Sequence, residues 1–148
     1  MTAAKGNPAI EALAPLVGRW ATEMVFPGKP EPFRGEVSFA WIDGGAFLEM
    51  RSEGEPGGPP RSVAVIGHDQ DRHGYQMLYF DERGVSRIYA MAFDGMAWAL
   101  SRDQGGFAQR FEARISDDGA TISGSWSKSS EGAPFEHDFA ITYRRMPT

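Results

Sequence analysis

The stretch Phe33–Glu53, FRGEVSFAWIDGGAFLEMRSE, decides the fold. Two strand-like runs, 33–42 and 45–53, flank Asp43-Gly44, a pair that favours the type I′ turn of a tight β-hairpin. A two-residue turn there sets Phe39 opposite Leu48 and Val37 opposite Met50. On the other face it sets Glu36 opposite Arg51 and Arg34 opposite Glu53. One apolar face and one charge-paired face describe an antiparallel sheet with a single side on a core.

The same device recurs down the chain. At Asp94-Gly95 the spacing pairs Phe93 with Met96, Met91 with Trp98 and Tyr89 with Leu100, leaving Ala90, Ala92, Ala97 and Ala99 on the other face. At Asp118-Gly119 it pairs Ile115 with Ile122 and Phe111 with Trp126, and sets Arg110, Glu112 and Arg114 against serines. Asp81 to Gly84 admits two registers. A three-residue loop with Gly84 in a bulge puts Tyr75, Met77 and Tyr79 on the face of Tyr89 and Met91; a two-residue loop flips that strand.

Strands are expected over 19–26, 33–42, 46–53, 62–68, 75–80, 85–93, 96–102, 107–115, 121–128 and 135–145. Short connections make sequence neighbours spatial neighbours, hence an antiparallel meander of about ten strands. Such a sheet must curl or close, and closure removes its exposed edges. The one helix candidate precedes it. Ile10, Leu13, Leu16 and Val17 follow helical spacing over 8–17, with Asn7 as N-cap and Pro8 at the first position. The Gly-Pro stretch 54–60 reads as a loop, since both flanks continue the strand pattern. The expected architecture is all-β: a closed lipocalin-like barrel with one short N-terminal helix, residues 1–148 forming one domain.

Composition narrows the function classes. The 148 residues are 41% hydrophobic and 24% charged, as in an ordinary globular domain. A net charge of −5 argues against a nucleic-acid surface, which needs a basic face. With no cysteine, disulfide and thiol chemistry are excluded. The start carries no apolar segment of signal-peptide type, and no run approaches the ~20 apolar residues of a membrane span. Cytoplasmic is the default expectation. No nucleophile elbow or phosphate loop is present.

Gly18-Arg19-Trp20 opens the first strand directly after the helix. Together with LAPLVGRW, FAWIDGGAFLEM and the ending DDGATISGSWSKSSEG…HDFAITYRR, it resembles an uncharacterised bacterial lipocalin-like, calycin-type barrel family, over nearly the whole chain. The resemblance implies a barrel of this strand number and no settled activity. More distantly the chain resembles nitrobindin, a haem-binding barrel that also opens with Gly-x-Trp after a short helix and uses a histidine near its C-terminus. The histidine of the last strand here is His137, whose distance from the chain end does not match; Tyr143 or a neighbour fills the corresponding position. The expectation is no bound cofactor, haem included.

Five further features bear on function. His137 shares a strand face with Phe135, Phe139, Ile141 and Tyr143, so it is expected to point inward, as a ligand contact or as a core histidine bonded to a tyrosine or carbonyl. Arg87 shares a face with Tyr89 and Met91 and, in the Asp94-Gly95 register, lies opposite Arg102. Like charges facing each other are unfavourable, so the pair holds a carboxylate or phosphate, sits at a wet rim, or pairs with Asp81, Glu82 or Asp103. His68-Asp69-Gln70-Asp71-Arg72-His73 holds metal-type residues but reads better as an acidic turn, and no metal is expected. The tryptophans and tyrosines, Trp98 and Tyr143 among them, could stack on a flat ligand or simply fill a core. An enzyme reading, by analogy with calycin-like barrels acting on aromatic acids, would use Tyr89, Arg87 and Glu49, but Glu49 falls on the charged face. The favoured expectation is a binder of a small hydrophobic or aromatic, anionic molecule through Arg87, Tyr89, Met91, Trp98, Arg102, His137 and Tyr143. A homodimer is compatible with this composition; nucleic acid and membrane are not expected partners.

Overall fold

The computed structural model describes residues 7–148. Ten antiparallel strands follow one another: β1 (Gly18–Val25), β2 (Phe33–Ile42), β3 (Phe47–Gly54), β4 (Ser62–Asp69), β5 (Gly74–Asp81), β6 (Ser86–Phe93), β7 (Ala97–Gln104), β8 (Phe107–Ile115), β9 (Thr121–Ser130) and β10 (Glu136–Arg145). Each pairs with its sequence neighbour, and β1 also pairs with β10, closing the barrel. The strands lie within two residues of the expected bounds at either end, because alternation and turn residues are local signals.

The register of each hairpin depends on its turn. β8 and β9 pair as expected, Ile115 with Ile122 and Phe111 with Trp126, with Arg110, Glu112 and Arg114 opposite serines. The β5–β6 loop has three residues, closed by the Asp81 N–H on the Val85 carbonyl, and Met77 pairs with Tyr89. Two hairpins are shifted. In β2–β3, Phe39 pairs with Met50, Trp41 with Leu48 and Glu36 with Glu53. In β6–β7, Met91 pairs with Leu100 and Phe93 with Trp98. Both loops are longer than two residues. Asp43–Gly45 forms a short 3₁₀ turn, and the Asp94 carboxylate accepts from the Met96 and Ala97 N–H groups, moving the hairpin centre past Asp-Gly. A shift of two residues preserves the faces, so Val37, Phe39 and Leu48 are still buried and Met50 packs against the core. The charge pairing changes: Glu36 meets Arg19 at 2.7 Å, and Arg51 meets Glu49 at 2.8 Å.

The expected helix divides into α1 (Pro8–Glu11) and a 3₁₀ turn, Ala14–Leu16, that contains Pro15. Asn7 caps α1 through the Ile10 N–H at 3.4 Å. Ile10, Leu13 and Leu16 are buried, and the hydroxyl of Tyr75 donates to the Ala9 carbonyl, so this segment plugs one end of the barrel. Beneath it lie Trp20, Phe39, Leu48 and Ile66, all at most 2% exposed. The indole N–H of Trp20 donates to the Leu16 carbonyl at 2.9 Å. Arg145 of β10 lies over the Trp20 ring at 4.2 Å and donates to the Val17 and Pro15 carbonyls, both at 2.7 Å. Gly18 has φ +130°, and a Cβ there would stand 2.8 Å from the Arg145 guanidinium. The Gly-x-Trp opening is thus the seat of an arginine that ties the last strand to the plug.

Candidate ligand-binding cavity

The opposite end of the barrel is not filled. A cavity of about 210 Å³ lies between Val37, Met77, Trp98, Leu100, Phe111, Trp126 and Phe139, with Phe26, Pro59 and Pro60 at its mouth. Its walls follow from strand alternation, since every second residue points inward. Aromatic rings run through it in a chain of edge and tilted contacts. Tyr79 meets Tyr89 at 6.1 Å, Tyr89 meets Trp126 at 5.6 Å, Trp126 meets Phe111 at 5.1 Å and Phe111 meets Trp98 at 4.8 Å. Tyr143 lies against Trp98 at 5.8 Å.

The polar groups gather at the open end. Tyr89 donates to Gln109 Oε1 at 2.8 Å, and Arg87 Nη1 donates to the same oxygen at 3.3 Å. Beside them Tyr79 donates to Asp81 at 2.8 Å. Asp81 also accepts from the Arg83 side chain at 2.7 and 3.2 Å and from its backbone N–H at 2.9 Å. These bonds, that of Arg83 first, hold the buried Asp81 carboxyl well below the usual carboxylate range, against the burial that would raise it. Burial pushes the Tyr79, Tyr89 and Tyr143 hydroxyls above their ordinary value. At neutral pH the tyrosines are therefore neutral donors rather than bases, and Arg87 is the cavity cation without a carboxylate partner among the described residues.

Of the residues expected to form a site, Arg87, Tyr89, Trp98 and Tyr143 line this cavity. Met91 is buried, 4% exposed, in the packed layer toward the plug and does not line it. Arg102 is on the inner face of β7 but donates to the Phe107 carbonyl at 3.3 Å and faces a groove on the barrel wall. It does not oppose Arg87: continuing the register past Ala90–Ser101 by one step brings Tyr89 level with Arg102. His137 is corrected outright. A bulge between His137 and Phe139 makes Asp138 the extra residue, so alternation breaks and His137 is exposed on the outer wall. His68 and His73 are exposed too, and the described residues hold no cluster of three metal-type side chains. No histidine is among the residues that line the cavity. Glu49 pairs with Arg51 outside the barrel, away from Tyr89. Gln109 and Arg83 were not singled out by sequence. Gln109 carried a signal, a polar residue at an inward position between Phe107 and Phe111; Arg83, in a turn, carried none.

No family model matches the chain, and no curated protein matches it. It is similar to the crystal structure of Rv2717c from M. tuberculosis, with a TM-score of 0.64 and 21% identity over 95% of this chain and 99% of that one. At that identity the likeness carries the barrel fold alone. No helix among the described residues is long and apolar enough to cross a membrane.

Proposed function

We propose that this lipocalin-like barrel binds a small molecule with a flat or apolar body and one anionic group. One observation carries the reading: Arg87 and Tyr89 converge on Gln109 at the open end of an aromatic cavity, and Arg87 lacks a carboxylate partner among the described residues. A concave apolar site with a few convergent polar groups is how small-ligand pockets are built. The rings supply stacking worth about 0.5–1.5 kcal/mol each beyond buried area. Arg87 supplies a planar donor fork for a carboxylate. Among the described residues no carboxylate or histidine lines the cavity, which favours binding over turnover. The test is a thermal-shift screen of fatty and aromatic acids against their amides and esters, with Arg87→Glu beside the wild type. Acids are expected to raise Tm more than their neutral analogues, and the variant to lose that difference. Equal shifts for acids and neutral analogues, or a variant that responds like wild type, would leave Arg87 as a solvated rim charge.

A further inference from the structure

The barrel wall has a slit. β6 and β7 are joined through four residue pairs, Ala90–Ser101 to Phe93–Trp98, whereas β8 and β9 are joined through nine. Beyond Ala90, residues 86–89 stay paired to β5 and residues 102–104 to β8, but not to each other. Outside this opening runs a groove bordered by Arg72, Arg87, Arg102 and Arg110. Arg87 and Gln109 line both the groove and the inner cavity, so the two spaces meet at the slit.

The charge is unusual for this chain. Its net charge is −5, yet none of these four arginines forms an ion pair among the described residues, and Asp103 is the one carboxylate bordering the groove. Besides Arg87, which donates to Gln109, two are held in place by other means. Arg110 stacks on Phe135 at 3.8 Å, and Arg102 is anchored at 3.3 Å on the Phe107 carbonyl while its buried Nε has no partner. Like charges gathered round one opening repel each other unless an anion joins them. A single carboxylate would satisfy one guanidinium fork. A phosphate monoester carries close to two charges and three acceptor oxygens, enough for several.

We infer that the β6–β7 slit is the head-group site of the barrel, and that its ligand is amphipathic, with the apolar body in the cavity and a phosphate-type dianion among the arginines outside. This rests on the cavity binding reading and adds the identity of the head. The probes are laurate, dodecyl phosphate, dodecanol and inorganic phosphate, followed through the fluorescence of Trp98 and Trp126, which line the cavity. Dodecyl phosphate should bind about tenfold more tightly than laurate. That margin should shrink below about pH 6, where the phosphate loses its second charge. Arg110→Glu and, in an exposed turn, Arg72→Glu should abolish the margin and leave laurate affinity unchanged, because neither residue lines the cavity. Equal affinity for the two amphiphiles, or an intact margin in both variants, overturns the head-group site and leaves the cavity reading standing. If neither amphiphile perturbs the fluorescence, the cavity reading falls and this inference with it. Inorganic phosphate binding as tightly as dodecyl phosphate would make the groove a site for the free ion and overturn the joint ligand.

Discussion

The two ends of the barrel are built from the same strands and the same alternation, but they are finished differently. At the plugged end, Leu13, Leu16, Trp20, Phe39, Leu48 and Ile66 fill the interior, and Arg145 seals the rim. At the open end the inward positions hold Arg87, Tyr89, Gln109 and Tyr79 around empty volume. The difference separates packing from open space: one end repays burial, and the other keeps polar groups around unfilled volume, where the proposed ligand would sit.

If that separation holds, the largest effect comes from the plug. Trp20→Ala should cost about 3–5 kcal/mol in urea unfolding, since the ring is fully buried, hydrogen-bonded and covered by Arg145. Trp126→Ala, on the wall of existing empty volume, should cost about half as much; equal costs would mean the open end is as tightly packed as the plug.

Asp81 tests the polar rim. Asp81→Asn should cost about 1–3 kcal/mol, because Arg83 and Tyr79 lose a charged acceptor. The folded-state pKa of Asp81 lies below its unfolded value, so its stabilisation is complete above about pH 4 and is lost as pH falls toward the folded value. The wild type should therefore lose stability in that acid window, and the variant should lose less of it. Parallel pH profiles would show that the rim pair contributes nothing.

On a single strand, Phe39→Ala should cost about 3–5 kcal/mol, against under about 1 kcal/mol for Glu36→Ala, whose ion pair with Arg19 is half exposed. Comparable losses would place Glu36 in a stronger network than the Arg19 pair. The smallest effect expected is none: one equivalent of haemin should give no sharp Soret shift, with His137→Ala indistinguishable from wild type. A stoichiometric complex lost in that variant would reverse the reading of the outer wall.

Faces were legible from sequence on most strands, while exact pairings were legible in β8–β9 and not in β2–β3 or β6–β7. Alternation is a backbone property, so Val37, Phe39, Trp98 and Phe111 declare their side of the sheet without knowledge of their partners. Pairing depends on how many residues the turn absorbs. Asp118-Gly119 sits at its hairpin centre, but Asp43 and Asp94 stand one position earlier, the latter because its carboxylate caps the loop. His137 was misread for a related reason: a bulge one residue long reverses every face before it, and nothing in FEHDF announces one. Half of the cavity polar set was visible as polar residues on aromatic faces. Gln109 needed only the same test applied to β8. The β6–β7 slit was invisible, since both strands look complete on their own and only their ladder is short.

Closure of β10 onto β1 joins residues more than a hundred positions apart, Trp20 with Arg145 among them. A contact that distant forms only after a large loss of chain entropy, and folds dominated by such contacts form slowly. During synthesis, nine strands of the meander can pair as they emerge, but β1 and β9 stay open edges until the last strand is available. Until then the molecule is a curled sheet with two unpaired borders, the form most prone to associate with a neighbour. The Arg145 clamp therefore also marks when the protein ceases to be vulnerable: its contacts with the plug can be made only by a chain that has closed.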